Sequence, residues 1–124
     1  MSAVELIDDR RAVLAVGVEP AREVVRVKPV GELDLATVSM LAGQVSELLM
    51  VGFEQLIIDL RGLSFIDISG LRLLLSLTRR ARSDGWRLTL IQGNGAVERL
   101  FALTETDRQL PFSPLVAVDA DELS

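Results

Sequence analysis

The feature that most constrains the fold is a short, almost wholly apolar run in the middle of the chain, Leu56-Ile57-Ile58-Asp59-Leu60. A continuous apolar run of this length is typical of a strand buried on both faces of a sheet. Amphipathic helical patterns stand on either side, near residues 35–51 and from Leu71 to a stop at Asp84-Gly85. A buried strand between two such helices predicts an α/β domain.

The flanking sequence supplies the other strands. Two Val-rich runs, Ala12–Val18 and Val24–Val27, predict an antiparallel hairpin followed by a turn at Pro29-Val30-Gly31. Further strands are predicted over Trp86–Gln92 and Leu115–Val118, with a short helix around Val97, Leu100 and Phe101 between them. We therefore expect one domain over residues 1–124, with a mixed sheet of about five strands and amphipathic helices packed mainly on one side.

The composition excludes several functional classes. The 124 residues contain no His and no Cys, which removes Ser-His-Asp triads, thiolate nucleophiles and Cys/His zinc sites. The net charge of −5 has the wrong sign for a surface that neutralises nucleic-acid phosphates. No apolar run approaches the length of a membrane helix, and no signal peptide is visible. We expect a non-enzymatic cytoplasmic protein with no metal, no cofactor, no nucleic-acid partner and no membrane insertion.

Candidate functional residues follow the central strand, because loops beyond the carboxyl ends of strands tend to hold the site in α/β sheets. They are Asp59, Ser64, Asp67 and Ser69. Ser69 is predicted near a helix start, where free backbone N–H groups and the helix dipole favour an anion. Helix capping by Ser69 or Asp34, a loop-fixing role for Asp67 and a structural role for Asp59 remain open alternatives.

Three motifs resemble the STAS domain of bacterial anti-sigma factor antagonists. They are Gly31-Glu32-Leu33-Asp34 before a helix, Leu56-Ile57-Ile58-Asp59-Leu60, and Phe65-Ile66-Asp67-Ile68-Ser69-Gly70-Leu71 opening the next helix. Together they cover about residues 12–118, in the order that the family shows. The resemblance implies a STAS-like fold and a regulatory function.

The resemblance also implies a phosphorylation switch. The unphosphorylated antagonist binds an anti-sigma factor that is also a serine kinase, phosphorylation ends the complex, and a PP2C-type phosphatase resets it. The acceptor of the family's Asp-Ser-Ser-Gly motif falls on Ser69, with Ser64 as an alternative. Ile68 replaces the first Ser of that motif, and Glu105 stands where a Gly often follows the Thr.

The resemblance and the positions of the motif residues also predict the surroundings of the acceptor. We expect Asp67, Ile68, Gly70, Asp34 and Asp59 to form the environment of the phosphorylation site. We assign partner binding to Ser69, Glu32, Leu73 and Leu77, since the two leucines lie at the margin of the apolar stripe of their helix. The alternative for both leucines is the rim of the core.

Two other functional classes remain open from the sequence. One is a STAS scaffold subunit without a phosphate switch, in a stress-signalling assembly or a lipid-transport complex. The other is a small-ligand or nucleotide-binding module, although Gly93-Asn94-Gly95 is too short for a P-loop and lacks its Lys.

Overall fold

The computed structural model describes residues 14–113 as a four-strand path with a fifth, short strand beside it, and three helices. A single 3-10 turn, Leu60–Gly62, connects the third strand to the fourth. The elements are β1 Leu14–Ala21, β2 Val24–Leu33, α1 Val38–Met50, β3 Gln55–Asp59, β4 Leu63–Ile66, α2 Ile68–Asp84, β5 Arg87–Ile91 and α3 Gly95–Leu103. No helix in this described part of the chain is long and apolar enough to cross a membrane.

The sheet is mixed, in the order β1-β2-β3-β5, with β4 paired to β2. β1 and β2 form the predicted antiparallel hairpin, and every other strand pairing is parallel. The side of β2 that faces away from β1 pairs with two strands: residues 24–27 pair with β3, and residues 31–33 pair with β4. The prediction of a mixed, five-stranded α/β sheet with an N-terminal hairpin is confirmed.

The main core lies between the helices and one face of the sheet. Leu56 and Ile58 of β3 enter this cluster, to which all three helices contribute, whereas Ile57 lies in a smaller buried cluster with Val24 and Ile91. Alternation along a strand places neighbouring side chains on opposite faces, so both faces of β3 are buried. This is the burial that the apolar run predicts, and it confirms helices packed mainly on one side.

Four predicted boundaries are wrong. β1 continues to Ala21 instead of ending at Val18, because residues 19–21 still pair with β2. β2 continues through Pro29 to Leu33, because Pro29 falls where β2 has β1 as a partner but neither β3 nor β4. α1 begins at Val38 instead of residue 35, since a hydrogen-bonded turn precedes it. α2 begins at Ile68 instead of Leu71 and ends as predicted, at Gly85 in the left-handed conformation with φ 84°.

β4 is absent from the sequence prediction. Its four residues, two of them exposed, carry too short a pattern, and its partner β2 lies thirty residues earlier in the chain. The predicted strand at Leu115–Val118 lies outside the described residues. Within residues 14–113 the fifth strand of the sheet is β4, which brings the start of α2 beside the end of β2.

Glu105 has a left-handed backbone, with φ 57°, just after α3. A residue with a β-carbon is strained in this region, and glycine is the usual solution after a helix. The conformation gives a physical reason for the Gly that the family often has at this position.

Candidate functional site

Two loops meet where β2 and β4 end side by side. The Asp67 N–H donates to the Leu33 carbonyl at 3.1 Å, so the last residue before α2 is fixed to the end of β2. Parallel pairing of Leu33 with Ile66 sets this contact. The β2–α1 turn and the start of α2 therefore form one surface at the carboxyl edge of the sheet, the position at which α/β sheets commonly hold a site.

Asp67 connects the two loops through its carboxylate. Oδ1 accepts from the Gly70 N–H at 3.1 Å, which makes Asp67 the N-cap of α2, and Oδ2 accepts from the Leu35 N–H at 3.2 Å. One half of the carboxylate satisfies the helix end, and the other half holds the neighbouring turn. The side chain thus has the loop-fixing role that the sequence left open.

Ser69 lies two residues after the cap, in the first turn of α2, and is half-buried. The idea that Ser69 is the N-cap is wrong, because Asp67 occupies that position. The Ser69 hydroxyl makes no hydrogen bond to any residue from 14 to 113. It stands at the positive end of a helix of 17 residues, with both neighbouring loops held by Asp67.

Asp34 organises the turn before α1. Its Oδ1 accepts from the Ala36 N–H at 3.0 Å, while the Thr37 hydroxyl donates to the Glu32 carbonyl at 2.8 Å. Thr37, not Asp34, holds the N-cap position, so the capping interpretation of Asp34 is wrong. The structure brings Asp34 and Asp67 to the same pair of loops. Thr37 is fully buried and supports this turn, a role that its place inside an amphipathic pattern did not reveal.

Ser64 differs from Ser69 in its hydrogen bonding. It is exposed on β4, and its Oγ donates to the Gly31 carbonyl at 3.1 Å across the β2–β4 pair. Its hydroxyl is therefore engaged within the sheet, whereas that of Ser69 is not.

Three exposed apolar side chains lie on the two loops and the adjoining end of β4, and we call them the apolar rim: Leu35, Phe65 and Ile68, exposed by 77%, 48% and 45%. Phe65 is in register with Glu32 on the neighbouring strand. Exposed apolar groups grouped beside a polar site often mark a protein interface. The sequence pattern indicated Glu32 and Ile68 as site residues but not Leu35 and Phe65, although Phe65 belongs to the same motif as Ser69.

The two leucines assigned to partner binding differ in burial. Leu77 is 0% exposed and belongs to the main core, so its assignment to a docking surface is wrong. Leu73 is half-buried and packs against the same core. α2 begins earlier than expected and faces both the sheet and α1, so its buried stripe is wider than the sequence pattern indicated.

Asp59 has partners of its own. Its carboxylate accepts from the Arg61 backbone N–H at 3.0 Å, from Arg61 Nη2 at 2.8 Å and from Arg26 Nη1 at 3.5 Å. Burial alone would raise the pKa of Asp59, but the Arg61 hydrogen bonds and the charges of Arg61 and Lys28 outweigh it and lower the pKa. None of its described hydrogen bonds reaches Asp67 or Ser69, so these contacts give it a structural role.

The Gly93-Asn94-Gly95 loop is also structural. Asn94 Oδ1 caps α3 by accepting from Ala96 and Val97, and its amide donates to the Leu63 carbonyl at the start of β4. A β-carbon on Gly93 would lie 2.9 Å from the Leu60 carbonyl oxygen, so close packing requires glycine here. The loop positions β4, and through it the start of α2.

Replacing Asp67 by alanine is expected to lower the free energy of unfolding by about 1–2 kcal/mol, since a helix cap and the bond to Leu35 are both lost. Asp67→Asn keeps one acceptor for the cap and should cost less than Asp67→Ala. Urea denaturation of the two variants measures both effects. Equal stability of the alanine variant and the wild type would show that the carboxylate holds neither loop.

Solved structures share this architecture. SpoIIAA, an anti-sigma factor antagonist, in its unphosphorylated form aligns with a TM-score of 0.70 at 24% identity, over 88% of this chain and 93% of that one. An anti-sigma factor antagonist of Mycobacterium paratuberculosis gives 0.69 at 24% identity, over 89% and 91%. SpoIIAA of Bacillus in its phosphorylated form gives 0.66 at 23% identity, over 88% and 96%.

The fold is thus that of anti-sigma factor antagonists. A family model described as "Mlab, STAS domain" matches residues 16–117, and the chain belongs to the STAS-domain family.

Proposed function

We propose that this protein is a non-enzymatic anti-sigma factor antagonist that is switched by phosphorylation of Ser69. The observation that carries the proposal is the state of that side chain: a hydroxyl without a hydrogen bond to any described residue, in the first turn of α2. Asp67 fixes the backbone on both sides of it. An acceptor that supports no other part of the fold can be modified without breaking the structure.

The unphosphorylated form binds an anti-sigma factor with serine kinase activity and so releases the sigma factor. The contact surface consists of the apolar rim together with Glu32, which is in register with Phe65, and Ser69, which follows Ile68. Burial of the rim supplies the hydrophobic part of the binding free energy. The fold shared with antagonists of this class supports the assignment of such a partner.

Phosphorylation acts on the interface more than on the fold. A phosphate adds about −1.5 to −2 charge beside Asp67 and Asp34, at a helix end whose dipole tolerates an anion. In the complex, the same dianion is buried against the apolar rim without a counter-charge and costs several kcal/mol. About 3–4 kcal/mol lowers the affinity by two to three decades. A PP2C-type phosphatase then restores the binding form.

This function places the protein in the bacterial cytoplasm, in transcription regulation during a stress response. One observation favours a second candidate, a STAS scaffold subunit with a constant partner: Ile68, half-exposed next to Ser69, adds apolar surface where the family motif has a hydroxyl. That candidate predicts binding that does not depend on Ser69.

The test compares Ser69→Ala with Ser69→Glu in affinity for the anti-sigma factor kinase. Ser69→Ala should bind persistently and resist phosphorylation, whereas Ser69→Glu should bind at least about tenfold more weakly. Ser64→Ala is the matched control and should be phosphorylated and released like the wild type. Equal affinity of the two Ser69 variants would rule out the switch and favour the scaffold.

A further inference from the structure

The outward face of α2 carries four exposed arginines: Arg72, Arg79, Arg80 and Arg82. No hydrogen bond or ion pair joins any of them to a residue within 14–113. The chain as a whole is acidic, with 13 basic and 18 acidic residues and a net charge of −5. The single acidic residue of α2 is its last one, Asp84. The arginine face is therefore a local concentration of positive charge on an acidic protein.

Helical geometry spreads these four side chains over nearly half of the helix circumference, a surface that we call the arginine band: Arg80 and Arg82 project about 80° to either side of Arg72. Arg72 and Arg79 are seven residues apart, two turns of helix, and lie on the same line as Ser76 and Ser83. Arg82 lies about 15 Å along the axis from Arg72. Asp84 lies four residues after Arg80, and the helix dipole favours a cation in the last turn, where Arg82 lies. Neither contribution reaches Arg72 or Arg79, so the stability of the isolated domain gives no reason for these two arginines.

The arginine band ends at a groove between the carboxyl-terminal ends of α1 and α2. Its volume is about 510 Å³, and its apolar lining comes from Leu49, Met50, Phe53 and Trp86. Its charged lining is Arg80 with Glu54 and Asp84, so the groove itself favours an apolar anchor and not an acidic group. Acidic side chains of a docked segment are attracted to the exposed arginines outside the groove.

We propose that the outward face of α2 docks an acidic protein segment, with its carboxylates over the arginine band and one apolar side chain in the groove. The inference rests on the proposed function, because the segment belongs to the anti-sigma factor that binds at Ser69, in the first turn of the same helix. Charge complementarity selects an acidic protein surface: attraction acts within about 8–10 Å, so a local patch engages the band despite the net charge of −5.

The affinity test uses Arg79→Gln/Arg82→Gln and the anti-sigma factor kinase that Ser69→Ala retains. At low salt the double variant should bind about tenfold more weakly, mainly through slower association, with a shallower dependence on salt. Arg99→Gln/Arg108→Gln is the matched control, since it removes the same charge from exposed positions off α2. It should change the affinity less than about twofold.

The location test uses the single tryptophan of the chain, Trp86. Fluorotryptophan incorporated there gives one fluorine resonance, which should shift when the partner fills the groove. A resonance that stays in place in the saturated complex would overturn docking at the groove.

Each remaining outcome decides between the claims. Unchanged affinity and salt dependence of Arg79→Gln/Arg82→Gln, with binding still sensitive to Ser69→Glu, would overturn the docking proposal and leave the switch intact. Weakened binding of the arginine variant, with no effect of Ser69→Glu, would support docking and refute the switch.

If Ser69→Ala retains no anti-sigma factor kinase, the docking proposal and the proposed function are both refuted. Binding to phosphatidylcholine–phosphatidylglycerol vesicles that needs the arginines, with partner affinity unchanged, would assign the band to a membrane surface instead.

Discussion

Gly70→Ala is expected to destabilise the protein by about 2–4 kcal/mol. A β-carbon at this position would lie 2.7 Å from Ile66 Cγ1, 2.9 Å from Leu33 Cγ and 3.0 Å from the Leu33 carbonyl oxygen. Both side chains belong to the buried core, and the third contact is backbone, so the clash cannot be relieved by a flexible side chain. The start of α2 must move away from β2, and Ser69 moves with it.

Gly43→Ala is the matched control, in the middle of α1. A β-carbon there has no neighbour within 4 Å, and alanine is the better helix former by about 0.5–1 kcal/mol, so this variant should be slightly more stable. Urea denaturation separates the opposite signs of the two changes. If both glycine variants were as stable as the wild type, the close approach of α2 to the end of β2 would be wrong.

Asp59→Ala is the second change with a large expected effect, a loss of about 2–4 kcal/mol. The Asp59 side chain is 0% exposed and joins the end of β3 to Arg61 in the 3-10 turn and to Arg26 in β2. Its removal takes one acceptor from the Arg61 backbone N–H and from the guanidinium groups of Arg61 and Arg26, while Arg26 still donates to Glu19. Because Arg61 is about one-third exposed, water compensates part of the loss, and the expected destabilisation is smaller than for a wholly buried pair.

The same carboxylate predicts a pH dependence. Folding lowers the pKa of Asp59 below its ordinary value of 3.8 through the Arg61 hydrogen bonds, which outweigh the effect of burial. A lowered pKa means that its contribution is fully present above pH 3.8 and is lost as the pH falls through the lower, folded-state pKa.

Denaturation of wild type and Asp59→Asn between neutral and acidic pH measures this contribution. The difference in unfolding free energy between the two should shrink below about pH 4. Glu47→Gln, on the exposed face of α1, controls for the loss of one acidic charge and should cost less than about 0.5 kcal/mol. A difference between wild type and Asp59→Asn that stayed constant with pH would contradict the ion pairing of Asp59.

Much of the fold follows from local patterns. The buried run of β3, the Val-rich hairpin and the left-handed stop at Gly85 each follow from the chemistry of a few adjacent residues. The elements that the sequence did not predict depend on partners far away in the chain. β4 has only four residues, and it is a strand because β2 continues past Pro29 and pairs with it. Short patterns carry no information about a partner thirty residues away.

The candidate site, like the fold, was predictable from the sequence only where the signal is local. Residue type and position before a helix indicated Asp67 and Ser69, and the structure places both at the start of α2. Which of them caps the helix depends on a shift of two residues in the helix start, which periodicity does not resolve. The apolar rim comes from separate segments that β2–β4 pairing brings together, so Leu35 and Phe65 gave no common signal in the sequence.

The most direct test of the phosphorylation switch is to map phosphate by mass spectrometry on the protein isolated from its native cells, in growth and under stress. The proposal predicts phosphate on Ser69, at an occupancy that changes between the two conditions, with Ser64 unmodified. A Ser69 that stays unmodified in both conditions would contradict the switch and favour a STAS subunit with a constant partner.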